Sequence, residues 1–203
     1  MARSVSHQGQ HNRFDLRMAL RERRRALNAD QQVSAGKGLC EVLKSRPELL
    51  ACQHIAVYLA NDGEINPETL QEYLWQSGKH CYLPVVDQSG SKVLTFVEYH
   101  TGTSLVENRF GIPEPSLNGA KTIPPEKLDI VLVPLTGFDE QGRRLGMGGG
   151  CYDRTFAFTS IAHKPILIGL AHECQKVDSI PVEHWDIPMA GIATDCQFYQ
   201  ISA

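Results

Sequence analysis

The sequence has few features of a secreted, membrane or metal-binding protein. Its longest apolar runs, such as residues 130–134, are far shorter than the roughly 20 residues that span a bilayer. The six cysteines are scattered without a C-x-x-C pair, and the eight histidines show no H-x-x-x-H or H-E-x-x-H spacing. The first residues lack the apolar stretch of a secretory signal. We therefore expect a cytoplasmic protein with no disulfide framework, no transition-metal site and no membrane partner.

A strong excess of either charge is also missing. The formal net charge is -3 over 203 residues, so the chain has no global field that would attract nucleic acid. We expect no nucleic-acid partner, and any anion site has to be local. The length suits one domain, which we place at residues 13–203 after a polar and flexible N-terminal segment, residues 1–12. We expect a monomer.

Short strand-like runs alternate with helical patterns along the chain. The spacing of apolar residues predicts helices at 13–27, from the cap residue Asn28 to about Leu43, and at 67–75. Strands are predicted at 54–59, 81–86, 94–99, 129–134 and 165–170. The continuous apolar runs near Ile130 and Ile166 are typical of central parallel strands, whereas 94–99 fits a hairpin or an edge. These patterns indicate an α/β fold, with a central, largely parallel sheet flanked by helices.

A glycine-rich run, RLGMGGGCYDR at residues 144–154, is the strongest functional signal. Its glycines let backbone amides approach an anion, and a helix starting near Tyr152 would add its dipole. The run matches neither a P-loop nor a dinucleotide fingerprint. Arg143 and Arg144 could neutralise phosphate, and Asp153 suits magnesium. A flexible surface turn is the alternative, but the flanking charges favour a phosphate site.

Three other features of the sequence each have more than one interpretation. The stripe of Arg13, Arg17, Arg21 and Arg24 or Arg25 could grip a triphosphate, bind RNA or form a solvated charged face. Glu64 follows the first predicted strand, where it is either a substrate contact or a helix-entry acid. Asp186, framed by prolines, is either a metal ligand or a turn residue.

These motifs, in the order in which they occur along the chain, resemble those of the 5-formyltetrahydrofolate cyclo-ligase family, whose members are also called methenyltetrahydrofolate synthetases. The resemblance covers nearly the whole chain and is carried by Arg13, Leu16 and Arg17, by 57–59 with 63–64, by 109–115, by 134 and 138–154, and by 169, 175–177 and 181–186. It implies a fold like those of NagB, RpiA and the CoA transferases. It also implies ATP- and Mg²⁺-dependent cyclisation of 5-formyltetrahydrofolate, with or without a polyglutamate tail, to 5,10-methenyltetrahydrofolate, releasing ADP and phosphate in one-carbon metabolism.

The resemblance also assigns roles to residues. Arg144 and Tyr152 are the implied catalytic residues, with the Tyr152 ring either stacking on a substrate or lying in the core. The implied ATP contacts are Arg13, Arg17, Arg144, Gly146, Gly148, Gly149, Gly150, Cys151 and Tyr152. The implied folate contacts are Leu59, Glu64, Met147, Gly148, Gly149, Gly150 and Cys151. The implied magnesium ligands are Asp153 and Asp186.

Three positions depart from the family pattern. Gly149 stands where many members have lysine, which removes a phosphate-neutralising charge that Arg143, Arg144 or Arg17 could replace. Cys151 stands where an aromatic residue is frequent, and Arg13 replaces a lysine. A non-catalytic paralogue that binds nucleotide or folate is therefore the second hypothesis, and an RNA-binding module is the third.

Overall fold

The computed structural model describes residues 4–87, 90–108, 111–159 and 165–201, with side chains from residue 12 onward. The α-helices of these segments are α1 (Ser4–Arg25), α2 (Ala29–Lys44), α3 (Pro47–Ala51), α4 (Glu68–Gln76) and α5 (Cys151–Thr155). The strands are β1 (His54–Ala56), β2 (His80–Val86), β3 (Leu94–Tyr99), β4 (Leu105–Glu107), β5 (Pro113–Pro115), β6 (Thr122–Ile123), β7 (Ile130–Pro134), β8 (Gly137–Phe138), β9 (Arg144–Leu145), β10 (Ile166–Leu170), β11 (Gly191–Ala193) and β12 (Phe198–Gln200). Two 3₁₀ turns span Pro125–Lys127 and Glu173–Gln175.

One eight-stranded sheet organises the molecule, in the order β12-β11-β10-β7-β1-β2-β3-β6. The adjacent strands from β11 to β2 run parallel, while β12, β3 and β6 are antiparallel to their neighbours. Ile55 of β1 stands between Cys81 of β2 and Ile130 of β7, so β1–α4–β2 forms the expected β-α-β unit. The predicted α/β fold with a largely parallel sheet is confirmed.

The central strands are buried on both faces, which explains their continuous apolar sequences. Side chains alternate along each strand, so Ile55 and Leu132 enter the core beneath α2 and α4, while Val131 and Val133 enter the core that contains Phe156. Burial of each such side chain contributes about 1.5–3 kcal/mol to folding. The sheet is therefore a rigid platform for the loops at its edge.

Several predicted boundaries differ from those observed. Helix α1 begins at Ser4 instead of residue 13. The polar residues 4–12 contain no proline, so nothing in them prevents the helix from extending through this segment. Strand β1 ends at Ala56. Strand β3 forms the antiparallel pair with β2 that a hairpin requires, but β6 covers its other side, so it is not an edge. The flexibility of residues 1–12 stays a prediction, and residues 1–3 lie outside the described part.

None of the helices in the described part of the chain is both long and apolar enough to cross a membrane.

Candidate active site

A cleft of about 500 Å³ lies where four segments meet: α1, the carboxyl end of β7, the glycine-rich run and residues 183–186. Open α/β sheets bind their ligands at this end of their parallel strands. The predicted site residues that line the cleft are Arg13, Arg17, Arg144, Gly146, Met147, Gly148, Gly149, Gly150, Cys151, Tyr152, Asp153 and Asp186. The fold thus gathers most of the predicted site.

The glycine-rich loop has the backbone conformation that requires glycine. Gly148 and Gly150 have φ values of 94° and 67°, a left-handed region that strains residues with a side chain. Helix α5 starts directly after the loop but has only 5 residues, so its dipole is far smaller than the sequence suggested. Anion binding here therefore depends on the loop amides and on nearby arginines.

Arg17 of α1 contacts the backbone of the loop. Its Nε donates to the carbonyl oxygen of Gly146 at 2.7 Å, and its guanidinium carbon lies 3.6 Å from where a Cβ on Gly148 would be. Burial and the charges of Arg13 and Arg21 lower the pKa of Arg17 from its usual value. A bound anion would relieve this crowding of positive charge.

The adjacent residues Arg143 and Arg144 have different partners, and only Arg144 lines the cleft. Arg144 is buried and donates to the carboxylate of Asp153 and to the carbonyl of Ile187. Burial lowers its pKa, although Asp153 opposes this effect. Arg143 does not line the cleft; its Nε donates to Oδ2 of Asp139 at 2.6 Å. The expectation that Arg143 neutralises phosphate is therefore not supported, because its guanidinium forms an ion pair with Asp139 away from the cleft.

The two predicted magnesium ligands both line the cleft and both contact arginine. Oδ2 of Asp186 accepts from Nη1 of Arg13 at 2.9 Å, and Oδ1 of Asp153 accepts from Arg144 and, at 3.2 Å, from the amide of Ile187. No group of three or more His, Cys, Asp or Glu residues suited to a metal occurs in the described segments. Two carboxylates beside a phosphate cradle nevertheless fit magnesium, which is bound by few protein ligands together with phosphate oxygens and water.

The predicted folate contacts Leu59 and Glu64 are not among the cleft-lining residues. Leu59 packs against the core under α2 and α4, and Glu64 is mostly buried in the loop after β1. Burial raises the pKa of Glu64, while Arg24 opposes the rise. Burial raises the pKa of the cleft residue Tyr152, and the Glu64 carboxylate adds to the rise. Glu64 therefore acts electrostatically on a residue of the cleft without lining the cleft itself.

Tyr152 combines its two predicted interpretations. Its ring lines the cleft and also packs in the core, where it stacks on Phe156 with a centroid distance of 6.5 Å. One face of this ring is therefore supported by the core, while the residue remains accessible from the cleft.

Sequence reasoning missed the destination of the arginine stripe. Arg21, Arg24 and Arg25 all contact the carboxylate of Asp62, and Arg24 is fully buried. The solvated-face interpretation is thus wrong for Arg24. An RNA-binding role would have used these three arginines, but their side chains are paired with Asp62 instead. Their i, i+3 and i+4 spacing was a signal, but the acidic partner lies in a distant loop.

Two cleft aromatics were also missed. Phe14 and Trp185 line the cleft with 55% and 51% of their surfaces exposed. Each is the sequence neighbour of a predicted site residue, Arg13 and Asp186 respectively, and this adjacency was the available signal. Arg109 and Phe110, which contributed to the family resemblance, lie outside the described residues.

Comparison with known proteins gives the site a family. The sequence profile of the 5-formyltetrahydrofolate cyclo-ligase family matches residues 9–195. The chain belongs to this family. Two relatives named 5-formyltetrahydrofolate cyclo-ligase, from Escherichia coli strain K12 and Haemophilus influenzae, are 40% and 39% identical over 181 residues. These matches cover 89% of this chain in both cases, and 99% and 96% of the relatives.

Solved structures agree with the cyclo-ligase assignment. An Aquifex aeolicus 5,10-methenyltetrahydrofolate synthetase superposes with a TM-score of 0.80 at 27% identity, covering 94% of this chain and 93% of the other. A Mycoplasma pneumoniae 5,10-methenyltetrahydrofolate synthetase has a TM-score of 0.71 at 22% identity, covering 90% and 98%, and supports the fold alone. The family, enzyme class and fold inferred from the sequence are confirmed, whereas the roles of individual cyclo-ligase residues stay predictions.

Proposed function

We propose that this chain catalyses the ATP-dependent cyclisation of 5-formyltetrahydrofolate to 5,10-methenyltetrahydrofolate in one-carbon metabolism. The observation that carries the proposal is the cleft itself: in a cyclo-ligase family chain, it combines a glycine loop, two arginines from α1 and two carboxylates. A triphosphate needs this combination of donors and charge neutralisation.

The reaction needs positioning more than a protein nucleophile. The formyl oxygen attacks the γ-phosphorus of ATP, and ADP leaves. Nitrogen 10 of the folate then attacks the activated formyl carbon, the ring closes, nitrogen 10 loses its proton and inorganic phosphate departs. Both steps are accelerated by holding the reacting atoms together and by stabilising charge on the phosphoryl oxygens.

We assign the triphosphate to the part of the cleft between α1 and the glycine-rich loop. Arg13, Arg17, Arg144 and the amides of the loop from Gly146 to Tyr152 would neutralise and orient it, and Arg17 takes over the charge that Gly149 lacks. Asp153 and Asp186 would hold Mg²⁺, which supplies further neutralisation of the phosphates.

We assign the folate to the side of the cleft at Met147, because Arg24 joins this residue to the loop after β1. Leu59 and Glu64 would contact it from the loop after β1, and Met147 through Cys151 would contact it from the glycine loop. Arg144 and Tyr152, which both line the cleft, are the proposed catalytic residues. We further propose that the enzyme is a cytoplasmic monomer that accepts folates with or without a polyglutamate tail.

The test is the absorbance of the methenyl product after purified protein is mixed with 5-formyltetrahydrofolate, ATP and Mg²⁺. Product should form only when ATP is present. Arg17→Met should lose at least tenfold in kcat/KM, whereas the exposed neighbour Arg23→Gln should retain activity. Folded protein without turnover would refute the proposal, and tight folate binding without turnover would support the non-catalytic paralogue instead. Strong, salt-dependent RNA binding would support the third hypothesis.

A further inference from the structure

Arg24 is a fully buried arginine near the end of α1 that joins three separate segments. Its Nε donates to the carbonyl oxygen of Asp62 at 2.9 Å, and its Nη2 donates to Oδ2 of the same residue at 2.9 Å. Its Nη1 donates to the carbonyl oxygen of Leu135 at 3.4 Å, just after β7. Its Nη2 also lies 3.7 Å from Sδ of Met147 in the glycine loop. A buried charge with so many directed contacts fixes the relative positions of its partners.

The loop that Arg24 contacts is a tight turn. Asp62 has a φ of 55° and Gly63 a φ of 76°, so two successive residues adopt left-handed backbone, which the dipeptide Asp-Gly favours. The amide of Glu64 donates to the carbonyl oxygen of Asn61 at 3.0 Å and closes the turn. A Cβ on Gly63 would lie 3.2 Å from the carbonyl oxygen of Arg24, so the helix end also packs against the turn. The contacts of Arg24 therefore fix where this turn lies relative to α1.

This turn leads directly to Glu64. Nη2 of Arg24 lies 3.8 Å from Oε1 of Glu64, so one nitrogen approaches both Glu64 and Met147. These residues come from the two segments that we assign to the folate. The charged and titratable groups that act on Glu64 are Arg24 and Arg21 from α1, Asp62 from its own loop, Tyr58 beyond β1 and Tyr152 from α5. Arg24 is the cation with the largest effect.

We propose that Arg24 is a positioning residue for the folate substrate, fixing Glu64 of one loop and Met147 of the other without touching the substrate itself. The proposal rests on the proposed function, because it takes these two residues as folate contacts. It assigns no direct role to Arg24 in ATP binding, since the atom that Arg24 contacts in the glycine loop is Sδ of Met147 and not a backbone amide.

The test compares Arg24→Lys and Arg24→Gln with Arg23→Gln, an exposed neighbour on the same helix. For both Arg24 variants, KM for 5-formyltetrahydrofolate should rise about tenfold or more, as expected when a buried charge-assisted hydrogen bond is lost, with KM for ATP within about twofold. In Arg24→Gln, the acidic limb of kcat/KM for folate should also move to higher pH, because Glu64 loses its nearest cation. Arg24→Lys should keep the limb in place, and Arg23→Gln should change neither KM.

Thermal melts establish that each variant is folded. If the Arg24 variants do not fold, Asp62→Asn removes the charged anchor while keeping its shape, and the same separation of the two KM values is expected. A parallel rise of both KM values, or folate KM values equal to that of Arg23→Gln, would overturn the inference. The proposed function fails separately, when the wild-type chain and Arg23→Gln both lack turnover.

Discussion

Gly149→Lys should improve the use of ATP, because the fold leaves room for the side chain. Gly149 is not in the left-handed region, and among the described residues, apart from its two chain neighbours, the nearest atom to an added Cβ is Sγ of Cys151, at 3.6 Å. Gly150 provides the contrast: its φ is 67°, and an added Cβ would lie 2.9 Å from Nη1 of Arg154. We therefore expect lysine to be tolerated at position 149 and to disrupt the loop at position 150.

The size of the gain follows from charge and screening. Two unit charges 4 Å apart attract by about 4 kcal/mol at an effective dielectric constant of 20. Gly149 is exposed, so solvent screening and the ordering of the lysine side chain leave ~1 kcal/mol. Arg17 already supplies positive charge nearby, which limits any larger gain. We expect KM for ATP to fall about fivefold at low ionic strength.

Initial rates of methenyl formation, measured against ATP at saturating folate, give this KM. Gly149→Gln is the matched control, with a side chain of similar reach and no charge, and its KM should stay within about twofold. The gain of Gly149→Lys should fade in high salt, since exposed charges are screened there. Gly150→Lys should lose activity. An equal gain from Gln, a gain that salt does not reduce, or a higher KM with Lys would refute the assignment of triphosphate to this loop.

Three further predictions concern stability and metal use. Burial opposes ionisation of Asp62, but hydrogen bonds from three arginines lower its pKa from 3.8 to about 2; its stabilising effect is therefore present above pH 4 and lost as the pH falls towards 2. In urea unfolding, wild type should lose about 1–2 kcal/mol more over this range than Asp62→Asn, and equal losses would contradict the ion cluster. Gly38→Ala should cost ~1–3 kcal/mol in unfolding free energy because its Cβ would overlap the carbonyl oxygen of Asp195, whereas the exposed control Lys37→Ala should cost little. Asp186→Asn should raise the Mg²⁺ concentration for half-maximal rate by ~10-fold or more with folate KM unchanged, and an unaltered Mg²⁺ dependence would exclude it as a ligand.

The central strands were predictable because their signal is local. The apolar runs at Ile130–Pro134 and Ile166–Leu170 are continuous, and this pattern alone predicts strands that are buried on both faces. The predicted bounds of β3 are the observed ones. The last two strands were missed because each has only 3 residues and no alternating pattern. They exist because neighbouring strands offer hydrogen-bonding edges, which is information that the local sequence does not contain.

In the candidate site, too, the local features were predictable and the long-range ones were not. The glycine loop was identified because its residues are contiguous. Whether an arginine faces phosphate or protein depends on partners far along the chain: Arg144 turns to Asp153 inside the cleft, while Arg143 turns away. The burial of Arg24 depends on Asp62, which is 38 residues distant. Charged residues usually remain in water, so sequence alone favours exposure at such a position.

The ion pair between Arg13 and Asp186 joins two cleft-lining residues that are 173 positions apart. A ribosome releases residues in order, so the helix that carries Arg13 emerges long before its partner. Until the segment at 183–186 has emerged, the nascent chain cannot complete the lining of the cleft. Contacts of such long range also slow folding, because the chain has to close a large loop before it gains their energy. Nucleotide binding should therefore appear only late in synthesis, as a signal that almost the whole sheet has formed.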